Sequence, residues 1–336
     1  MKRRCDQLLW VILVIAATVL TGCSKGGQKI VVNEAGHSVF YAPFYVAIEK
    51  GFFQEEGYQI ELVNGQGADN SKAALLGEDC DIALMGAEVS VAIFNEGVED
   101  YAVNFAQLTQ RAGDCLVSRV VNEKFQWNNV KGKTIIGGRK GSLPQMTFRY
   151  ILKKQGIDPE SELSIQDMEY EPALKEFTSG KGDYILLYEP DATNLELKGA
   201  GRVVAYLGSD SGKIPFSVFA AKKSYAEKNP DTIQRFVNAI QKGIDYVTSH
   251  TPEETAKAIH KQFPDTDRDV LAQVLAAYYE QDIWKDTPEL EQNSYTFLLD
   301  LMEDSGELTE RIPYEDMVNN GFTKSNEGSA AGPKER

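Results

Sequence analysis

From residue 29 onward, short apolar runs alternate with segments whose apolar residues recur at helical spacing. Residues 29–33 read as a short buried strand. The loop Glu34-Ala35-Gly36-His37-Ser38 leads to a helix with Phe40, Phe44 and Ile48 on one face, stopped by Gly51. Residues 59–63 alternate as a strand, Gly65-Gln66-Gly67 turns the chain, and Asn70 or Ser71 is placed to cap a short helix. Residues 81–85 form another apolar run, and Gly86-Ala87-Glu88 opens the next helix; 103–107 is strand-like. Such β-α-β alternation predicts a largely parallel sheet covered by helices.

The alternation then restarts. Residues 134–136 predict a strand, followed by a Gly-rich turn and a helix over 143–154 stopped by Gly156. A strand is expected over 165–170, a short helix over 173–177, and a strand over 183–187 that ends at Tyr188-Glu189-Pro190. The run from Ala73 through Gly77 and Asp81 to Glu88 matches in outline the run from Ala173 through Gly180 and Asp183 to Glu189. Two lobes of similar topology follow from that match, without a fixed repeat. From Ser224 the pattern is helical. Asn229-Pro230 starts a helix with Ile233, Phe236, Val237, Ile240, Ile244 and Val247 on one face. Thr251-Pro252-Glu253-Glu254 is a capping box, and amphipathic helices are expected around 271–279 and 294–302.

The ends of the chain add a location. Lys2, Arg3 and Arg4 precede an uncharged apolar run over 8–20, too short to span a bilayer and of signal-peptide length. It ends at Leu20-Thr21-Gly22-Cys23, which resembles the bacterial lipobox. In such signals the cysteine is diacylated and becomes the new N-terminus. Residues 1–22 are therefore expected to be a lipoprotein signal peptide, Cys23 the lipidation site and 23–28 a tether. Two acyl chains hold a protein stably at a membrane, where one gives marginal binding. The expected location is extracytoplasmic, on the cell surface or in the periplasm. The tail over 324–336 is polar, with Gly, Ala and Ser, and reads as disordered.

Net charge is −15, and −17 once the signal's +2 is removed. That acidity disfavours nucleic acid and anionic lipid as partners. Of four cysteines, Cys5 leaves with the signal and Cys23 is lipidated. Cys80 and Cys115 remain, as buried small hydrophobes or as one bridge.

The stretch from His37 to Phe53 (HSVFYAPFYVAIEKGFF), with Gly86-Ala87-Glu88 after the 81–85 run, resembles the superfamily of ABC substrate-binding proteins for thiamine-precursor pyrimidines, aliphatic sulfonates, taurine and nitrate. The resemblance covers roughly residues 29–302. It implies a type II periplasmic-binding-protein-like α/β fold: two lobes joined by a two-strand hinge, with the solute in the cleft between them. It also implies one lobe built from 29–115 plus 214–323 and a second from 116–213. The implied role is a monomer that captures a small-molecule solute and delivers it to an ABC permease and ATPase complex. A ligand-sensing lipoprotein domain and a lipid-tethered enzyme are the alternatives.

Ligands of open parallel sheets sit beyond the carboxyl ends of the strands. That rule nominates His37, Tyr41, Asp69, Met85, Glu88, Gln107, Arg139, Ser142, Tyr188 and Glu189 as ligand-binding residues. In the loop Gly137–Gln145, glycines let backbone N–H groups approach an anion, Arg139 can add a forked contact, and Ser142 and Gln145 have capping-box spacing. Glu88 and Glu189 can accept from ligand N–H groups, while Tyr41 and Tyr188 can stack on a flat ring. The acids and aromatics favour a neutral or cationic heteroaromatic such as a pyrimidine; the basic loop favours a sulfonate or other anion. No Walker A loop, Gly-x-Ser-x-Gly or metal-spaced His/Cys/carboxylate cluster is present, so no cofactor, metal or catalytic residue is expected.

Overall fold

The computed structural model describes residues 27–121, 124–308 and 310–323. The expected signal, Cys23, most of the tether and the expected tail lie outside the described residues. Among the described residues, ten strands run in chain order: β1 (Gln28–Glu34), β2 (Tyr58–Asn64), β3 (Ile82–Met85), β4 (Ala102–Thr109), β5 (Cys115–Ser118), β6 (Thr134–Ile136), β7 (Ser164–Gln166), β8 (Tyr184–Leu187), β9 (Arg202–Tyr206) and β10 (Ser217–Lys222). They form two five-stranded sheets, ordered β2-β1-β3-β10-β4 and β7-β6-β8-β5-β9. The chain passes from the first sheet to the second through 110–114 and returns through 207–216.

Both sheets are mixed, where the sequence pattern predicts largely parallel ones. In the first, β1 pairs in parallel with β2 and β3, but β10 is antiparallel to β3 and β4. In the second, β6 is parallel to β7 and β8, while β5 is antiparallel to β8 and β9. The antiparallel strands are those at the crossings, β5 and β10, so the reversal arises where the chain changes sheet.

The longer helices are α1 (Ala42–Glu49), α2 (Ala68–Leu76), α3 (Ala87–Asn95), α4 (Leu143–Lys154), α5 (Tyr170–Thr178), α6 (Asp191–Leu197), α7 (Pro230–Ser249), α8 (Pro252–Ile259), α9 (Arg268–Glu280) and α10 (Gln292–Asp304). Helix α7 begins at the predicted proline, and the Thr251–Glu254 capping box forms at the head of α8. The strand expected over 165–170 stops at Gln166, because Tyr170 already opens α5. Helix α2 starts two residues before Asn70, after Gly67; the Asn70 amide donates instead to the Gly65 carbonyl (2.7 Å) and Ser71 to Asn33 (2.6 Å).

Helix α7 packs on α1 through Gly243, where a Cβ would overlap the Pro43 carbonyl oxygen; the missing side chain allows the close approach. Phe44, Phe53, Phe219 and Phe236 fill the space beneath, with ring centroids 5.0–6.5 Å apart. Helix α10 also reaches the second sheet's helices: Phe297 packs edge-on against Tyr150 at 5.2 Å, and Asp304 pairs with Lys153 at 2.6 Å. Cys80 and Cys115 are both free and buried, in separate apolar clusters, so no bridge joins them.

Candidate functional site

A cavity of about 300 Å³ lies where the carboxyl ends of strands from both sheets converge. From the first sheet it receives the loop after β1, the turn after β2 and the head of α3. From the second it receives the 138–144 loop after β6, the head of α5 after β7 and the segment after β8. Both crossing segments contribute as well, through Asp114 and Phe216. Short strands ending at one level put polar loop residues on its wall and leave apolar strand residues in the core.

Glu88 sits in the first turn of α3 and is 6% exposed. Its Oε1 accepts from the Leu143 N–H across the cavity at 3.4 Å, while Oε2 is buried without a hydrogen-bond partner among the described residues. Burial pushes this carboxyl up to about 7, against its own backbone N–H, the Arg139 charge and the Leu143 N–H, which favour the anion. Asp114, at the first crossing, is 2% exposed. Burial pushes its carboxyl up to about 8, with the Tyr188 hydroxyl bonded to it as the main opposing influence. Its Oδ2 has no hydrogen-bond partner among the described residues.

His37 is held at the mouth by buried Glu34. Its Nδ1 lies 2.6 Å from Glu34 Oε1, and its Nε2 lies 2.8 Å from the Gln262 carbonyl. A carbonyl only accepts, so Nε2 is the donor there. Tyr45 donates to the other Glu34 oxygen at 2.6 Å. Burial opposes charge on His37, but the Glu34 hydrogen bond and charge outweigh it and raise its pKa.

The walls are aromatic. Tyr188 lies 5.8 Å from Phe40 and 6.0 Å from Tyr170, ring centre to ring centre, all tilted rather than stacked. Tyr41 is buried beside Phe40 and bonded to Ser217.

Seven of the ten nominated residues line this cavity: His37, Tyr41, Glu88, Arg139, Ser142, Tyr188 and Glu189. Three do not. Met85 is fully buried in an apolar cluster with Leu75, Ala83 and Val89 and does not line the cavity. Gln107 is fully buried and donates to the carbonyls of Thr109 (2.9 Å) and Ile214 (3.4 Å), bracing the crossing. Asp69 is exposed on α2 outside the cavity, its Oδ2 3.8 Å from Arg139 Nε.

Among the seven, Glu189 has spent its carboxylate internally. It accepts from the Thr193 N–H (2.9 Å), the Thr193 hydroxyl (3.0 Å) and the Tyr206 hydroxyl (3.0 Å). The expected Ser142–Gln145 capping box is absent. Gln145 turns to the Gly138 carbonyl and to Asp167, and Ser142 Oγ is left buried without a hydrogen-bond partner among the described residues.

Sequence reasoning missed Asp114, Tyr170 and Phe216. A lone acid between apolar β4 and β5 was the available signal for Asp114. Among the described residues, no group of three or more His, Cys, Asp and Glu side chains is placed to hold a metal ion.

The family model described as NMT1/THI5 like matches residues 39–255, a span that includes Tyr41, Glu88, Asp114, Arg139 and Tyr188. The chain belongs to the NMT1/THI5-like family. A Bacillus subtilis (strain 168) protein named "Putative binding protein YtlA" is 42% identical over 292 residues, covering 87% of each chain. This family member also resembles two solved structures at low identity. One is the periplasmic nitrate-binding protein NrtA of Synechocystis PCC 6803 (TM-score 0.71, 14% identity, 88% of this chain and 87% of that one). The other is the alkanesulfonate-binding protein SsuA of Xanthomonas axonopodis pv. citri bound to MOPS (TM-score 0.69, 14% identity, 87% and 98%). The NMT1/THI5-like chain therefore has the periplasmic-binding-protein fold expected from its sequence.

Proposed function

We propose that this chain is the extracytoplasmic substrate-binding protein of an ABC-type importer, which captures a small planar organic solute in the cleft and delivers it to a permease and ATPase. The relative's name, the neighbours' nitrate- and alkanesulfonate-binding titles and the fold support the binding role. Anchoring through a lipidated Cys23 and action as a monomer belong to the same reading.

One observation carries the choice of solute. Glu88 and Asp114 each keep a buried carboxylate oxygen without a hydrogen-bond partner among the described residues, in a cavity walled by tyrosines. Buried acceptors left unpaired cost free energy that a ligand's N–H groups recover. Arg139, the group an anion would use, is turned toward Asp69 at the rim. A heteroaromatic solute of the pyrimidine type, neutral or cationic, fits better than a sulfonate or nitrate.

Native mass spectrometry of the purified protein identifies the retained solute, and calorimetry of four variants reads the contacts. Glu88→Gln, Tyr41→Ala and Tyr188→Ala are expected to weaken binding roughly tenfold or more, with Arg139→Ala near silent. A large loss at Arg139 with a silent Glu88 overturns the heteroaromatic assignment. No retained solute, and none taken up from a panel of aminopyrimidines, alkanesulfonates and nitrate, overturns the binding role.

A further inference from the structure

We propose that Glu88 and Asp114 act together as anchor carboxylates that select a planar, positively charged solute. The proposal rests on the solute-binding reading and narrows its ligand class to cations. Asp114 was not among the residues nominated from sequence, and it reaches the cavity from the crossing segment while Glu88 reaches it from α3.

Three features of the cavity point to a cation. The two acids are more than nine-tenths buried, each with one oxygen unsatisfied. Among the described residues, neither forms an ion pair: the nearest cation to Glu88 is Arg139, whose Nε lies 3.8 Å from exposed Asp69. The residues beside them include three aromatics, Tyr41, Tyr170 and Tyr188, the residue type that attracts a flat cation. An anion in the same place would meet two carboxyl groups and could stay only while both held protons.

The surrounding groups set the direction in which the two acids titrate. Glu88 faces Arg139, Asp69, the Leu143 N–H and the hydroxyls of Tyr41 and Tyr188. Asp114 faces the Tyr188 hydroxyl that donates to it, Tyr41, Tyr170 and the protonated Cys115 thiol. With burial pushing the two carboxyls up to about 7 and about 8, the site without solute holds on to protons near neutral pH. An entering cation supplies the missing positive charge, takes both free oxygens as acceptors, and sends those protons to solvent. Capture should therefore tighten as pH rises.

The test uses the full chain and three probes of one shape and different charge: benzamidinium, benzamide and benzoate. Competition calorimetry should rank benzamidinium first and benzoate last. Benzamidinium affinity should rise at least about tenfold from pH 6 to pH 9. Its binding enthalpy at pH 7 should vary with the buffer's ionisation enthalpy in the sense of proton release. Asp114→Asn and Glu88→Gln should each weaken benzamidinium about tenfold and narrow its lead over benzoate. If either variant fails to fold by circular dichroism, the wild-type pH profile and proton count decide alone. Benzoate binding tightest, a flat pH profile, or no binding of any probe overturns the proposal. If native mass spectrometry still finds a retained solute in those cases, the binding role stands and only the charge class is lost.

Discussion

The Ser38 hydroxyl donates to the backbone carbonyl of Glu189 at 2.8 Å, tying the loop after β1 to the end of β8 in the other sheet. The same oxygen accepts from the Phe40 N–H at 3.2 Å, so one side chain both starts a helical turn and joins the two halves of the cleft. Ser38→Ala should cost about 1 kcal/mol for the buried hydrogen bonds, read as a lower denaturant midpoint at unchanged slope. A variant as stable as wild type would show that the bridge is not needed.

Stability should depend on pH through Glu88. Its carboxyl sits at about 7 in the fold, against about 4.3 for an unfolded chain. A raised acid stabilises the fold fully below its unfolded pKa and loses that contribution as pH rises through the folded value. The stability difference between wild type and Glu88→Gln should fall by about 3 kcal/mol from pH 4 to pH 9, measured by denaturant titration. A constant difference would contradict the burial assigned to this group.

Gly243→Ala should destabilise the chain by about 1–3 kcal/mol, because the added methyl meets the Pro43 backbone on α1 and one helix must move. Thermal melting measures this directly. A neutral result would mean that the α1–α7 contact relaxes freely.

The two thiols should be inert in the folded protein. Burial pushes Cys80 up to about 12 and Cys115 well above the usual thiol range, and Cys115 is fully buried. In a soluble chain that starts at Ser24, a thiol reagent at pH 8 should label neither cysteine until denaturant is added. Rapid native labelling of Cys115 would contradict its packing against Ile136, Ile185 and Leu187.

Cys23→Ser should move the protein from the membrane fraction to a soluble one, since the variant has no thiol to acylate. Unchanged fractionation and gel mobility would remove the anchor from the proposed function.

What was legible in the chain was the part decided locally. Helix α4 spans residues 143–154 as read, because Pro144 and Gly156 punctuate an amphipathic run. The Thr251 capping box is legible for the same reason: its partners lie within four residues. Strands β5, β9 and β10 went unrecognised as strands, being short apolar runs whose identity comes from pairing with distant segments. The face of a fully buried strand is equally hidden. All four residues of β3 are buried, and period-two alternation cannot say that Met85 belongs to the apolar cluster of Leu75 and Val89 and not to the cavity wall. Asp114 reads as an ordinary loop acid until the crossing segment places it under Tyr188, a relation between residues 74 positions apart.

The placement of β10 between β3 and β4 sets an order on folding as the chain emerges. All five strands of the second sheet lie within residues 115–206, so that half can close its sheet as soon as those residues have emerged. The first sheet cannot. β4 meets its neighbours only through β10, so it waits without a partner until residue 222 emerges, more than 110 residues after β4 itself is complete. The half of the molecule begun first is finished last, and its exposed edge is one for chaperones to guard in the interval.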